Sequence, residues 1–157
     1  MTIIFGSQDQ FAVVVGEPTW PICAVEVWIG GVNLSTFDSS AYLPSFIHSM
    51  STMRDKLKNQ LNFLTHESDL GGSGVEGAFL RVASQELSQA WSDLRILNFG
   101  PTTDDFLCFL LPVDEKLYLA CKSYTAAGIT AVRITPFDLI STLNSTLLEL
   151  SKNVPNT

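Results

Sequence analysis

The sequence predicts an α+β domain: a largely antiparallel sheet of about five strands covered by about three helices, in the order ββ-α-α-βββ-α. Three observations lead there. Short apolar runs, such as Phe11-Ala12-Val13-Val14-Val15 and Phe106 to Leu111, lie towards both ends of the chain. Between them the apolar residues change to helical spacing, at Leu43, Phe46, Ile47, Met50, Met53, Leu57, Leu61 and Leu64. Gly-, Pro- and Asn-bearing breaks separate these units, and none is long enough to divide the chain.

At 157 residues, with 46% hydrophobic and 16% charged residues, the chain suits one packed domain over 1–151, with 152–157 as a loose tail. The first strand is Ile3-Ile4-Phe5, closed by the turn Gly6-Ser7-Gln8-Asp9-Gln10. A strand also runs from Phe11 and breaks at Gly16-Glu17-Pro18, and Ile22 to Ile29 is the second strand of this start, closing on Gly30-Gly31-Val32-Asn33. Tyr42 to Leu64 reads as a helix that Ser39 or Ser40 can cap, with Pro44 tolerated in its first turn. After a glycine-rich break from Asp69 to Gly77, Phe79, Val82, Ala83, Leu87, Ala90, Trp91 and Leu94 continue in helical phase to the loop Asn98-Phe99-Gly100-Pro101.

Phe106 to Leu111 is apolar at every position, as expected of a strand covered on both faces. Leu117 to Tyr124 pairs with it through a turn at Val113-Asp114-Glu115-Lys116, which sets Cys108 opposite Cys121. Ile129 to Ile134 follows as a third strand. The last helix begins at Thr135-Pro136-Phe137-Asp138, with Thr135 as cap and Asp138 at the positive end of the dipole, and its stripe is Phe137, Ile140, Leu143, Leu147 and Leu150.

The formal charge is −7, and the basic residues are dispersed apart from Arg54, Lys56 and Lys58. Such a balance disfavours nucleic acid, whose affinity comes from neutralised phosphates, and suits a basic partner. No apolar run approaches the ~20 residues that span a bilayer, and the first residues carry no basic region of the secretory kind, so a cytoplasmic protein is expected. Three cysteines, Cys23, Cys108 and Cys121, show no metal or disulfide spacing and read as reduced core residues.

Catalytic patterns are weak. Gly72-Ser73-Gly74-Val75-Glu76-Gly77 fits the dinucleotide spacing but follows a helix end rather than a buried strand. His48 and His66 lie on or near the first helix with no second ligand at metal spacing, and Cys108 within Phe-Leu-Cys-Phe-Leu is expected to be buried. No catalytic residue, metal or cofactor is therefore assigned. The acidic pairs Asp104-Asp105 and Asp114-Glu115 stand at opposite ends of one strand, too far apart for an acid and base pair. With Trp20, a loop aromatic of the kind that anchors interfaces, they are the candidate contact residues.

Ile3-Ile4-Phe5-Gly6, Phe11-Ala12 and the strand closing on Gly30-Gly31-Val32-Asn33 resemble the start of bacterial polymorphic-toxin immunity proteins, most closely the immunity protein 42 family. The residue order at the Gly30 turn departs from that family's apolar-Asn-Gly pattern. Asp104-Asp105-Phe106 with its hairpin, and Val132-x-Ile134-x-x-Phe137, extend the similarity, whereas Ser35 to Gly100 does not align. The resemblance implies a cytosolic, non-enzymatic inhibitor bound to the C-terminal domain of a cognate toxin, and it transfers no contact residue. Two other readings stand beside it: a ligand-binding or hydrolytic α+β enzyme whose site is assembled from residues remote in sequence, and an adaptor subunit.

Overall fold

The computed structural model describes residues 2–155. It is an α+β fold in which, among the described residues, eight strands divide between two antiparallel sheets, rather than forming the one sheet expected. Strand periodicity reports pleat and burial but carries no information on which strands share a sheet.

In the first sheet, β1 (Ile3–Gly6) pairs with β2 (Phe11–Thr19), and β2 turns at Trp20-Pro21, a cis peptide, into β3 (Ile22–Ile29). The break expected at Gly16-Glu17-Pro18 is instead a bulge. Val15 pairs Val25 and Pro18 pairs Cys23, so one extra residue of β2 is absorbed and the strand continues. Gly30 and Gly31, both at positive φ (55° and 81°), form the two-residue turn into β4 (Val32–Asn33). The other half of the same β3 edge is taken by β5 (Ser40–Tyr42).

β5 corrects the expected helix cap. Ser39 uses its carbonyl to accept the Val25 N–H (2.7 Å) and Ser40 pairs with Ala24, so helix α1 (Leu43–Leu57) starts after Tyr42 with Pro44 in its first turn. The helix expected to run to Leu64 stops at Lys58, and Leu61–Leu64 is a separate turn, α2. Asn59 competes there: its Oδ1 accepts the Leu61 N–H at 3.2 Å. The pattern from Phe79 to Leu94 is likewise two helices, α3 (Gly74–Ala83) and α4 (Ser88–Leu94), parted where Gln85 takes φ 63°. α3 begins within the expected glycine loop, so Gly77 is helical.

The second sheet has the order β6 (Phe106–Val113), β7 (Lys116–Ser123), β8 (Thr130–Arg133). Leu107 to Pro112 is buried throughout, as a strand covered on both faces should be. Cys108 pairs directly with Cys121, the expected register. Helix α5 (Pro136–Ser151) starts at Thr135, whose Oγ1 accepts the Asp138 N–H at 3.1 Å, the expected cap. Of its expected stripe Leu143, Leu147 and Leu150 are buried and Ile140 packs against the core, joined by Leu139, whereas Phe137 is 75% exposed. At the C-terminal end of α5, Lys152 Nζ pairs with Glu149, while residues 156 and 157 of the expected tail lie outside the described residues.

α5 packs on β1, β2 and α1, while α2, α3 and α4 pack on β6. One continuous core joins both sheets through Val13, Val15, Val25, Val27 and Ile29 on one side and Phe109, Leu110 and Leu119 on the other. The two sheets come close at Gly30. A Cβ there would lie 2.9 Å from Thr130 Cγ2 and 3.1 Å from Val132 Cγ1.

Candidate functional site

The acidic candidates occupy the two ends of β6 and are not brought together. Nine residues of strand at ~3.3 Å each separate Asp105 from Asp114 by roughly 30 Å. At one end, the Tyr124 N–H donates to the Asp105 carbonyl (3.0 Å), so a 59% exposed tyrosine sits beside the acids, and a cleft lined by Phe79, Leu80 and Tyr124 opens there. At the other end, Asp114 and Glu115 both take positive φ (52° and 65°) in the hairpin turn. Glu67 steadies this turn by accepting the Glu115 N–H at 2.8 Å, which gathers a third carboxylate at the tip. Trp20 lies elsewhere, in the β2–β3 turn of the other sheet, and is 37% exposed.

Around Trp20 the structure shows a surface that the sequence reading missed. The helices cover the side of the first sheet that carries Val13, Val15, Val25 and Val27. Its opposite side is set by register: Ile4 with Val14 and Glu26, Ala12 with Trp28 and Asn33, Ala24 with Ser40, and Thr19 with Ile22 and Tyr42. Ile4, Ile22 and Tyr42 are 53%, 43% and 54% exposed, and Ala24 is exposed with them. Ala12 and Val14 are buried yet stand outside the main core. Trp28 is half-buried across from Ala12, with its indole N–H donating to Glu26 Oε2 at 3.0 Å. A solvent-facing antiparallel sheet ordinarily alternates to polar residues, whereas this one sets Ile4, Val14, Ile22, Ala24 and Trp28 among Glu26, Asn33 and Ser40. The signal was present in β3, where Ile22, Ala24 and Trp28 are apolar on the face opposite Cys23, Val25 and Val27.

Groups with catalytic potential are held in other roles. His66, 9% exposed, places Nε2 2.8 Å from Asp93 Oδ2 and Nδ1 3.7 Å from Asp69 Oδ2, at the edge of a 300 Å³ cleft that Ser88 and Glu86 also line. A triad histidine needs one nitrogen on a carboxylate and the other on a nucleophile. Here both face carboxylates, and Asp93 also accepts from Gln89 (2.8 Å), so the histidine fastens the segment after α2 to α4. His66→Ala is expected to lower folding stability by about 1–3 kcal/mol, the scale of a charge-assisted bond lost from a buried site. A denaturant titration checks it, and an unchanged midpoint would remove the fastening role.

Lys56 acts similarly. Its Nζ donates to the Ser92 and Arg95 carbonyls (2.8 and 2.7 Å) at the C-terminal end of α4, where a cation complements the dipole, and burial holds its pKa below the ordinary lysine value. Among the described residues no group of three or more His, Cys, Asp or Glu is placed to hold a metal ion.

Cys108 is 2% exposed, and its contact with the Cys121 thiol, together with burial, raises its pKa well above the ordinary 9.0. Burial raises Cys23 as well. A thiol held protonated this way is a poor nucleophile at neutral pH. Below pH 9 folded and unfolded chains both keep these protons; above it the unfolded chain releases protons that the fold retains. Stability is therefore expected to fall as pH rises past 9.0, by up to about 1.4 kcal/mol per pH unit for each thiol. Urea midpoints at pH 7 and pH 10 for the wild type and for Cys108→Ala/Cys121→Ala measure this, and identical slopes would contradict it.

The architecture defines a class: an α+β protein with two antiparallel sheets, one carrying an exposed apolar face, and no helix among the described residues long and apolar enough to cross a membrane. Among solved structures the chain is similar to CdiI from Burkholderia dolosa AUO158, with a TM-score of 0.64 over 94% of this chain and 99% of that chain, at 16% identity. The fold is therefore that of CdiI. No protein-family model matches the chain, and no curated protein matches it in sequence.

Proposed function

We propose that the protein is a non-catalytic immunity protein that binds and neutralises the toxin domain of a contact-dependent inhibition system in the cytosol. The observation that carries this reading is the fold shared with CdiI, an immunity protein of such a system, across nearly the whole of both chains. The resemblance of the first strands to toxin-immunity sequences supports it independently of the fold. So does the state of the reactive groups: His66 is enclosed by carboxylates and Cys108 is buried and protonated. Calorimetric binding to the C-terminal domain encoded just upstream of the gene, with growth rescue of cells expressing that domain, tests the proposal. Absence of binding by a sample shown to be folded would overturn it.

One observation favours a second reading, a hydrolytic or ligand-binding enzyme: the His66–Asp93 pair borders a cleft that Ser88 also lines. The two readings separate on His66→Ala. It abolishes turnover if the pair is catalytic, and it leaves toxin binding intact below the melting temperature if the pair is a fastening.

Within the immunity reading the acidic pairs act at long range. Charge reversal at Asp104 and Asp105, or at Asp114 and Glu115, is expected to slow association by about tenfold at low salt and little at high salt, with dissociation nearly unchanged. Stopped-flow rates indifferent to both mutation and ionic strength would remove the acidic pairs from the encounter.

A further inference from the structure

We propose that the exposed side of the first sheet is the docking surface, and that its occupant is a cationic face of the toxin domain carrying an apolar centre; this rests on the immunity reading above. Two independent observations meet there. The first is the surface itself: Ile4, Ile22 and Tyr42 are each 43% exposed or more on one side of one sheet, with Trp20 at the adjoining turn. Aromatic and aliphatic side chains standing on a rigid sheet lose little conformational freedom on binding, which suits them as central anchors.

The second observation is charge. Residues 1–53, which supply every strand of this sheet, contain Asp9, Glu17, Glu26 and Asp38 but no lysine or arginine, and all nine basic residues begin at Arg54. The strands of this sheet therefore bring carboxylates and contribute no lysine or arginine of their own. Glu26 lies within the apolar rows, next to Trp28. A partner that placed acidic groups against this surface would meet like charge, whereas lysines or arginines around an apolar centre would find both kinds of complement. The second sheet, which includes Lys116, Lys122 and Arg133, has no such bias.

Substitutions at exposed positions test the idea with the fold preserved. Ile22→Lys and Tyr42→Lys are expected to weaken calorimetric affinity for the upstream-encoded toxin domain on the order of 100-fold, through faster dissociation. The sign of the partner's charge is read at one site. Ala24→Lys is expected to weaken binding at least about tenfold more than Ala24→Glu, which adds comparable bulk with the opposite charge.

If the folded variants keep wild-type affinity while the wild type binds, the surface is wrong and the immunity reading stands. Equal losses for Ala24→Lys and Ala24→Glu overturn the cationic partner. A wild-type dimer in light scattering that Ile22→Lys converts to monomer reassigns the face to a second copy of this chain. No binding by the wild type removes the immunity reading, and this inference falls with it.

Discussion

Replacing Phe109 by alanine is expected to cost about 4 kcal/mol of stability. Phe109 is fully buried in β6 and meets two rings edge-on, Phe79 of α3 at 5.3 Å and Trp91 of α4 at 5.4 Å. Its removal leaves a cavity where two short helices meet a sheet. α4 is not free to close the gap, because it is tied at its C-terminal end by Lys56. Phe109→Leu, which keeps most of the volume, should lose roughly 1–1.5 kcal/mol. Equilibrium urea unfolding of both variants measures the difference, and similar losses would show that the ring contacts, absent from both variants, and not the lost volume set the cost.

The second large effect is expected at Gly6, where alanine should cost about 3 kcal/mol. The residue sits at φ 85°, and a Cβ there would run into the Phe11 carbonyl oxygen, the acceptor that closes the β1–β2 turn from Ser7 N–H at 3.0 Å. It would also come within 3.0 Å of Thr142 Oγ1 on α5. Gly31 is the control: its φ is 81°, yet a Cβ would have nothing within 4 Å, so Gly31→Ala should cost only the backbone term of about 1 kcal/mol. Equal losses at the two positions in a thermal or urea series would mean that backbone conformation, and not the crowded turn, decides the outcome.

Much of the fold was legible because local chemistry dictated it. The run from Ile22 to Ile29, the two-glycine turn after it, the Cys108 to Cys121 register and the Thr135 cap each follow from a few adjacent residues, and each stands as expected. The misreadings are of another kind. Apolar spacing continued through Lys58-Asn59-Gln60 and through Gln85, where side-chain hydrogen bonding and a positive φ interrupt the helices. On α5 only Phe137 departs from the expected stripe: its apolarity suggests the core, but the fold leaves it outside.

The candidate site was legible only in part. Acidic pairs and a loop tryptophan draw attention as isolated residues. The exposed sheet face is invisible until register places Ile4, Val14, Ile22 and Tyr42 on one side. The absence of lysine and arginine before Arg54 was the overlooked clue.

The packing of α5 on β1 and β2 has a consequence for how the protein is made. A ribosome releases the three N-terminal strands early, with Val13, Val15, Val25 and Val27 facing the side that α5 will cover, and more than a hundred residues must be synthesised before that helix is complete. Throughout that interval the apolar side of these strands lacks the helix that covers it in the finished fold. Its first 53 residues contribute carboxylates without lysine or arginine, and this uniform charge discourages one emerging copy from sticking to the next on the same message.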